Sequence, residues 1–299
     1  MARIQGPAQR GLAPYLRLVA FQHSVFALPF ALQGAWLAAR GVPPARVLVL
    51  IVVCAVAART AAMAFNRLVD VPYDARNPRT VQRELVSGAL DRGRVAALIA
   101  ASAAVFVAGA YALNPLCGAL AWPVLAVLFA YSFTKRFTWL AHGFLGLSLG
   151  LAPPAAWLAV RGVLEGDLLV PLLLAAAVLA WVSGFDLIYA CQDEEFDRQS
   201  GLQSVPARFG RAAALALSRG LHVATVMLLL ALWWRADLGW IYLASITLAA
   251  ALLIWEHSLV SPRDLSRVDM AFFTLNGWVG VGLFVGLALD LWLVSAGAA

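Results

Sequence analysis

The chain has 299 residues, 63% hydrophobic and 13% charged, with a formal net charge of +6. A soluble domain carries roughly 25% charged residues, so this composition, with a mean hydropathy of +0.82, excludes a soluble enzyme and points to an integral membrane protein. The surplus of Arg is spread over short loops between apolar stretches, which is a topological pattern and excludes a nucleic-acid face.

A membrane span needs about 20 mostly apolar residues. Nine stretches qualify, at about 18–39, 46–69, 95–113, 117–134, 139–160, 167–190, 212–234, 238–258 and 270–296. The expected fold is all-α and polytopic, a single membrane-embedded domain over residues 1–299. Residues 1–17 carry Arg3, Arg10 and Arg17 but no apolar core or cleavage site, so no cleavable signal peptide is expected. The first span holds His23, Gln33 and Pro29. Gln33, like Asn276 in the last span, reads as an interhelical hydrogen-bonding residue. His23 reads either as such a residue or as part of a site.

The second span carries Arg59 and ends in N-R-L-V-D-V-P-Y-D, so Arg59, Asn66, Asp70 and Asp74 are 7, 4 and 4 apart. Those steps keep them near one helical face. Pro72 predicts a break there, with Asp74 on a turn beyond it. Arg59 lies about 16 Å up the helix from Asp70 at about 1.5 Å per residue. At that depth it needs an anionic or carbonyl partner, either an aspartate or an acceptor carboxylate. A polar, basic loop follows over about 71–94. Pro123, Pro153 and Pro154 fall inside later spans. They read either as ordinary packing or as kinks that widen a cavity.

The fourth span ends at Lys135 and Arg136. The sixth ends in D-L-I-Y-A-C-Q-D-E-E-F-D, placing Asp186, Tyr189, Asp193 and Asp197 at steps of 3, 4 and 4, again one face. Glu194 and Glu195 point elsewhere on the helix and read as solvated. A second long loop is expected over about 192–211. Cys54, Cys117 and Cys191 are irregularly spaced and read as apolar fillers. With the N-terminus inside, fifteen Arg and Lys residues lie in inner segments against four outside. The positive-inside rule therefore places both aspartate clusters on the cytoplasmic side. Two apolar spans, each followed by aspartates and a basic loop, also suggest an internal repeat of about 123 residues.

Five of the eleven Asp residues sit in these two patterns. Gathered carboxylates repel one another unless cations intervene. Magnesium is held by one or two carboxylates together with substrate phosphates. The two clusters thus form a plausible diphosphate clamp with Asp70, Asp74, Asp193 and Asp197 on metal. Lys135, Arg136, Arg79 and Arg83 are the cations for the remaining phosphate oxygens. Most of the 11 Trp, 15 Phe and 6 Tyr are expected at membrane interfaces or in packing, with a few lining a cavity for an isoprenoid tail.

At these clusters the chain resembles the UbiA superfamily of intramembrane prenyltransferases. Their pattern is N-D-x-x-D-x-x-x-D after the second helix and D-x-x-x-D after the sixth. The segment Y-S-F-T-K-R-F-T, Tyr131 to Thr138, is similar to the family's tract that supplies a diphosphate-binding Lys, here Lys135. Arg67 stands where the family's first motif has its second residue, an Asp. The form N-R-x-x-D with N-P-R-T-x-x-R-E-L, F-A-L-P-F-A-L and Y-A-C-Q-D resembles the 4-hydroxybenzoate polyprenyltransferase-like branch. That branch includes the menaquinone enzyme of the futalosine route (MqnP).

The resemblance implies a nine-helix bundle around a central cavity and a Mg2+-dependent transfer of a polyprenyl group from polyprenyl diphosphate. The implied acceptor is an aromatic acid, 4-hydroxybenzoate or 1,4-dihydroxy-6-naphthoate, in quinone biosynthesis. It implies Asp70, Asp193 and Lys135 as catalytic and Asn66, Lys135, Arg79 and Arg83 as diphosphate-binding. Arg59, Asp186 and Tyr189 are implied at the acceptor or in support of it. The implied setting is a bacterial inner membrane with the active site toward the cytoplasm. Haem, homogentisate or a chlorophyll precursor are the other acceptors of the family. A secondary transporter is the rival from another class.

Overall fold

The computed structural model describes residues 13–19 and 24–297. Arg3, Arg10 and His23 lie outside the described residues. Thirteen α-helices follow in order: α1 Ala13–Leu18, α2 Ser24–Ala39, α3 Ala45–Val69, α4 Val71–Asp74, α5 Arg92–Leu113, α6 Pro115–Thr134, α7 Ala141–Gly150, α8 Ala152–Arg161, α9 Leu169–Ala190, α10 Glu194–Gln199, α11 Val205–Arg235, α12 Trp240–Ser258 and α13 Asn276–Gly297. Among the described residues, eight helical segments are long and apolar enough to cross a membrane, and Leu28–Ala39 is a shorter apolar helix at the first expected span.

Helix α9 is the hub of the bundle. Its residues are apolar nearly all round, as expected of a helix enclosed on every side, and α7 and α11 pack along it. Trp181, Phe185, Leu229, Tyr242 and Leu283 join α9, α11, α12 and α13 in one buried core. The lone polar residues behave as read: the Tyr242 hydroxyl donates to Gln33 Oε1 at 3.1 Å. Asn276 accepts from Trp181 Nε1 at 2.7 Å and donates to Glu256 at 2.8 Å. The three cysteines are free thiols.

The expected span at 139–160 is present over Ala141–Arg161 as a helix broken into α7 and α8, because Pro153 cannot continue the hydrogen-bond ladder and sits in the first turn of α8. The break lines a cavity with Leu151, Ala152 and Pro154, and Pro123 lines it from within the continuous α6. The second loop, expected over about 192–211, is instead largely helical. A 3-10 turn at Cys191–Asp193 leads into α10, and α11 begins at Val205. Gly210, at φ 82°, bends the start of α11 through a backbone conformation that side chains other than glycine's disfavour.

Candidate active site

The ends of α3, α6 and α9 meet at one end of the bundle. Helix α3 stops at Asp70, where Pro72 restarts the chain as the short α4 carrying Asp74. The loop beyond α4 is held down by Val71, Leu85 and Leu90, which pack against Leu18 and Val95. That anchoring carries Asn77, Arg79 and Arg83 across to the second cluster. The Arg79 guanidinium grips Asp193, with Nε at 2.9 Å from Oδ1 and Nη2 on Oδ2. Asn77 Nδ2 adds a bond to the same carboxylate at 3.1 Å. Residues 116 apart in sequence thus share one site.

The other carboxylates are also faced by cations. Arg83 Nη1 lies 2.6 Å from Asp74 Oδ1, Arg136 Nη2 lies 3.2 Å from Asp70 Oδ1, and Lys135 Nζ lies 3.4 Å from Asp197 Oδ2. Asn66 donates to Asp70 Oδ2 at 3.0 Å across one helical turn. The Lys135 carbonyl accepts the Gln203 amide at 2.6 Å, which fixes the α6 end against the segment before α11. Tyr189 receives Arg79 Nη1 on its hydroxyl at 3.0 Å and stacks on Phe272. Burial raises the Asp70 carboxyl above its ordinary value despite Arg136. Burial alone would lower the Lys135 ammonium, but Asp197, Asp186 and Asp193 outweigh it and raise it.

All the predicted site residues except Arg59 and Asp186 belong to this charged cluster. Arg59 lies up α3 on the wall of a cavity of about 450 Å³. Asn66 and Tyr131 also line it, and the rest of its wall is almost wholly apolar. Asp186 pairs with His142, Nδ1 to Oδ2 at 2.7 Å. Arg67 lies within electrostatic range of Asp70, Asp74, Arg83 and Glu84. Glu195 is solvated as expected, whereas Glu194 is not. It ties α10 to α11 through Arg211 at 2.7 Å. Asn77 and His142 were not singled out by the sequence. Asn77 stood there only as the first residue of the N-P-R-T-x-x-R-E-L segment, and His142 meets its partner 44 residues away across two helices.

Among the described residues no three His, Cys, Asp or Glu side chains gather closely enough to hold a metal unaided. The donors still suit a hard divalent cation shared with phosphate oxygens, which needs one or two carboxylates. Among the described residues none donates a hydrogen bond to the buried Asp74 Oδ2, which leaves one carboxylate oxygen there for a cation.

The chain resembles known proteins along most of its length. It is 32% identical to 4-hydroxybenzoate octaprenyltransferase of Methylobacillus flagellatus, over 86% of this chain and 85% of that one. It is also 32% identical to the enzyme of the same name from an Azoarcus species, over 87% and 88%. The apo structure of a UbiA homologue from Aeropyrum pernix superposes with a TM-score of 0.82 at 36% identity, covering 90% of this chain and 98% of that one. An Archaeoglobus fulgidus UbiA homologue, bound to DMAPP and Mg2+, shares the fold with a TM-score of 0.70 at 21% identity, over 94% and 99%. Residues 27–279 match the UbiA prenyltransferase family. The transporter reading falls with these matches: the chain is a multi-pass membrane prenyltransferase and belongs to the UbiA family.

Proposed function

We propose that this prenyltransferase moves a polyprenyl group from its diphosphate to an aromatic carboxylic acid, 4-hydroxybenzoate or 1,4-dihydroxy-6-naphthoate. The observation that carries this reading is the joining of both aspartate clusters, by Arg79 and Asn77 on Asp193, at the polar end of an apolar cavity. Asp70 and Asp74 with Asp193 and Asp197 would hold Mg2+, the cofactor of this reading. Bound there, the cation would neutralise charge on the leaving diphosphate. Arg79, Arg83, Arg136 and Lys135 now face carboxylates and are placed to turn to phosphate oxygens, Arg in bidentate fashion and Lys as a point charge. Asn66 joins them on the diphosphate.

Ionisation of the allylic C–O bond is then stabilised electrostatically by groups already in place. The folded loop over residues 75–91 keeps water from the cation that forms. The isoprenoid chain lies in the apolar cavity. Among the described residues lining it, Arg59 alone is charged, and it meets the acceptor carboxylate. The relatives named for 4-hydroxybenzoate support that acceptor. The excess of Arg and Lys at the aspartate end supports a cytoplasmic active site in a bacterial inner membrane.

The purified enzyme, given labelled octaprenyl diphosphate with both acids in competition, is expected to prenylate one of them. Chelation should stop the reaction and Mg2+ should restore it. Turnover of neither acid, or full activity in chelator, overturns the reading. In the same assay Arg59→Met is expected to raise the acceptor KM about tenfold, the size of one lost charge-assisted bond, and to leave the donor KM unchanged. An unchanged acceptor KM removes Arg59 from the acceptor site.

A further inference from the structure

We infer that Asp186, held by His142, is the base that takes the proton lost by the aromatic acceptor. The assignment rests on the prenyl-transfer reading above and adds a residue pair to it.

Helix α11 begins at Val205, whose amide is one of the first-turn N–H groups that no helical carbonyl can satisfy. Ser204 caps the Ala207 amide at 3.3 Å, and the Val205 amide donates instead to His142 Nε2 at 3.4 Å. That bond occupies the Nε2 lone pair, so the ring hydrogen sits on Nδ1 and points at Asp186 Oδ2, 2.7 Å away. The identity of the protonated nitrogen is thus set by the bond that the other nitrogen makes. The ring itself is locked in place. His142 is 3% exposed, and its carbonyl is 3.2 Å from the Ser183 hydroxyl. Gly146 lets α7 approach α9 so closely that a Cβ there would collide with Ser183 and the Leu179 carbonyl.

The carboxylate so oriented keeps part of its surface accessible. From Trp181 to Ala190 every residue of α9 is buried except Asp186 and Tyr189, which lie three apart on one face. The Asp186 side chain is 17% exposed although it lies inside the bundle, and its Oδ1 accepts no hydrogen bond from the described residues. Lys135 of the clamp and Tyr131 of the cavity wall both lie within range of its charge, so Asp186 is near both.

A ring carbon of the acceptor bonds to the allylic carbon with a ring π pair, and the C–O pair departs on diphosphate. The ring carbon then carries both hydrogen and prenyl group. Its hydrogen leaves as a proton to Asp186 Oδ1, and the C–H pair restores the aromatic ring. His142 Nδ1–H stays on Oδ2 throughout, and the proton passes to water when product leaves. Asp186 is the catalytic residue and His142 a positioning residue.

The test compares Asp186→Asn, His142→Leu and His142→Asn with wild type, in the full chain. The acceptor is whichever acid the wild type turns over, with and without deuterium at its reacting ring position. Asp186→Asn and His142→Leu are expected to lower kcat about 10²-fold, the lower range for lost general base catalysis. The donor KM should stay within twofold, and a primary deuterium isotope effect absent from wild type should appear as proton loss becomes limiting. His142→Asn, whose amide N–H can stand near Nδ1, should recover most of the loss. Active wild type with no isotope effect in Asp186→Asn and His142→Leu overturns the assignment, as does His142→Asn no better than His142→Leu. A wild type that turns over neither acid overturns the acceptor reading, and the base with it.

Discussion

Asp193→Ala is expected to lower prenyl transfer about 10³-fold while the bundle stays folded. Removing a single preorganised electrostatic group costs about 10²–10³ in rate, and on the proposed reading this one also serves the Mg2+ held at the clamp. Asp193 holds Arg79 and Asn77 in place, so its loss also releases the loop that crosses between the clusters. The stability cost should be modest, about 1–2 kcal/mol, because Arg79 is 33% exposed and water screens it. The main core around Trp181 and Tyr242 is untouched. Asp193→Asn separates charge from shape, since the amide oxygen can still accept from Asn77. A loss as large as that of the Ala variant, with an unfolding midpoint near wild type in detergent, is the expected pair of results. If Asp193→Asn keeps activity within tenfold, the carboxylate charge is not what the reaction uses.

The gathering of the two aspartate clusters was legible in the sequence because energetics and spacing agree. A carboxylate in an apolar chain is costly, and steps of 3 and 4 put several on one helical face. Those rules found Asn66, Asp70, Asp74, Asp186, Tyr189, Asp193 and Asp197. They could not rank a single carboxylate. Asp290, deep in α13, accepts the amides of Gly239 at 2.6 Å and Ile241 at 3.2 Å, so it serves as a cap for α12 in place of a local side chain. The basic residues were found as a set, but their pairing was not legible. Which Arg meets which Asp depends on how the loop after α4 folds back, and that is fixed by Leu85 and Leu90 burying against α1 and α5. His142 stayed hidden for the same reason: its partners come from α9 and from the first turn of α11, and no local periodicity joins them. The helix break at Leu151 was half visible, since Pro153 and Pro154 fitted ordinary packing and a cavity-widening kink equally well until their neighbours in the bundle were known.

Ala55→Trp is expected to turn the enzyme against long donors. Ala55 and Asn66 both line the cavity of about 450 Å³, and eleven residues of helix separate them by about 16 Å. A Trp at Ala55 therefore leaves the clamp and the near part of the cavity as they are and fills the far part. The bilayer is as apolar as the cavity wall, so the cavity gains little affinity from the chain's hydrophobicity alone. Its contribution is alignment: it holds the chain so that the allylic carbon stays over the clamp. A long chain pushed aside by the indole pulls that carbon away, and a displacement of about 1 Å at a reacting centre costs about 10²-fold. Dimethylallyl diphosphate ends before the obstruction and should turn over within twofold of wild type. Octaprenyl diphosphate should lose about 10³-fold in kcat/KM, since displacement and steric exclusion act together. Equal losses for both donors would mean that the indole acts on the fold, and no loss for either would mean that the chain runs along another face. Only a loss confined to the long donor ties the apolar wall of α3 and α6 to the hydrocarbon chain of the donor.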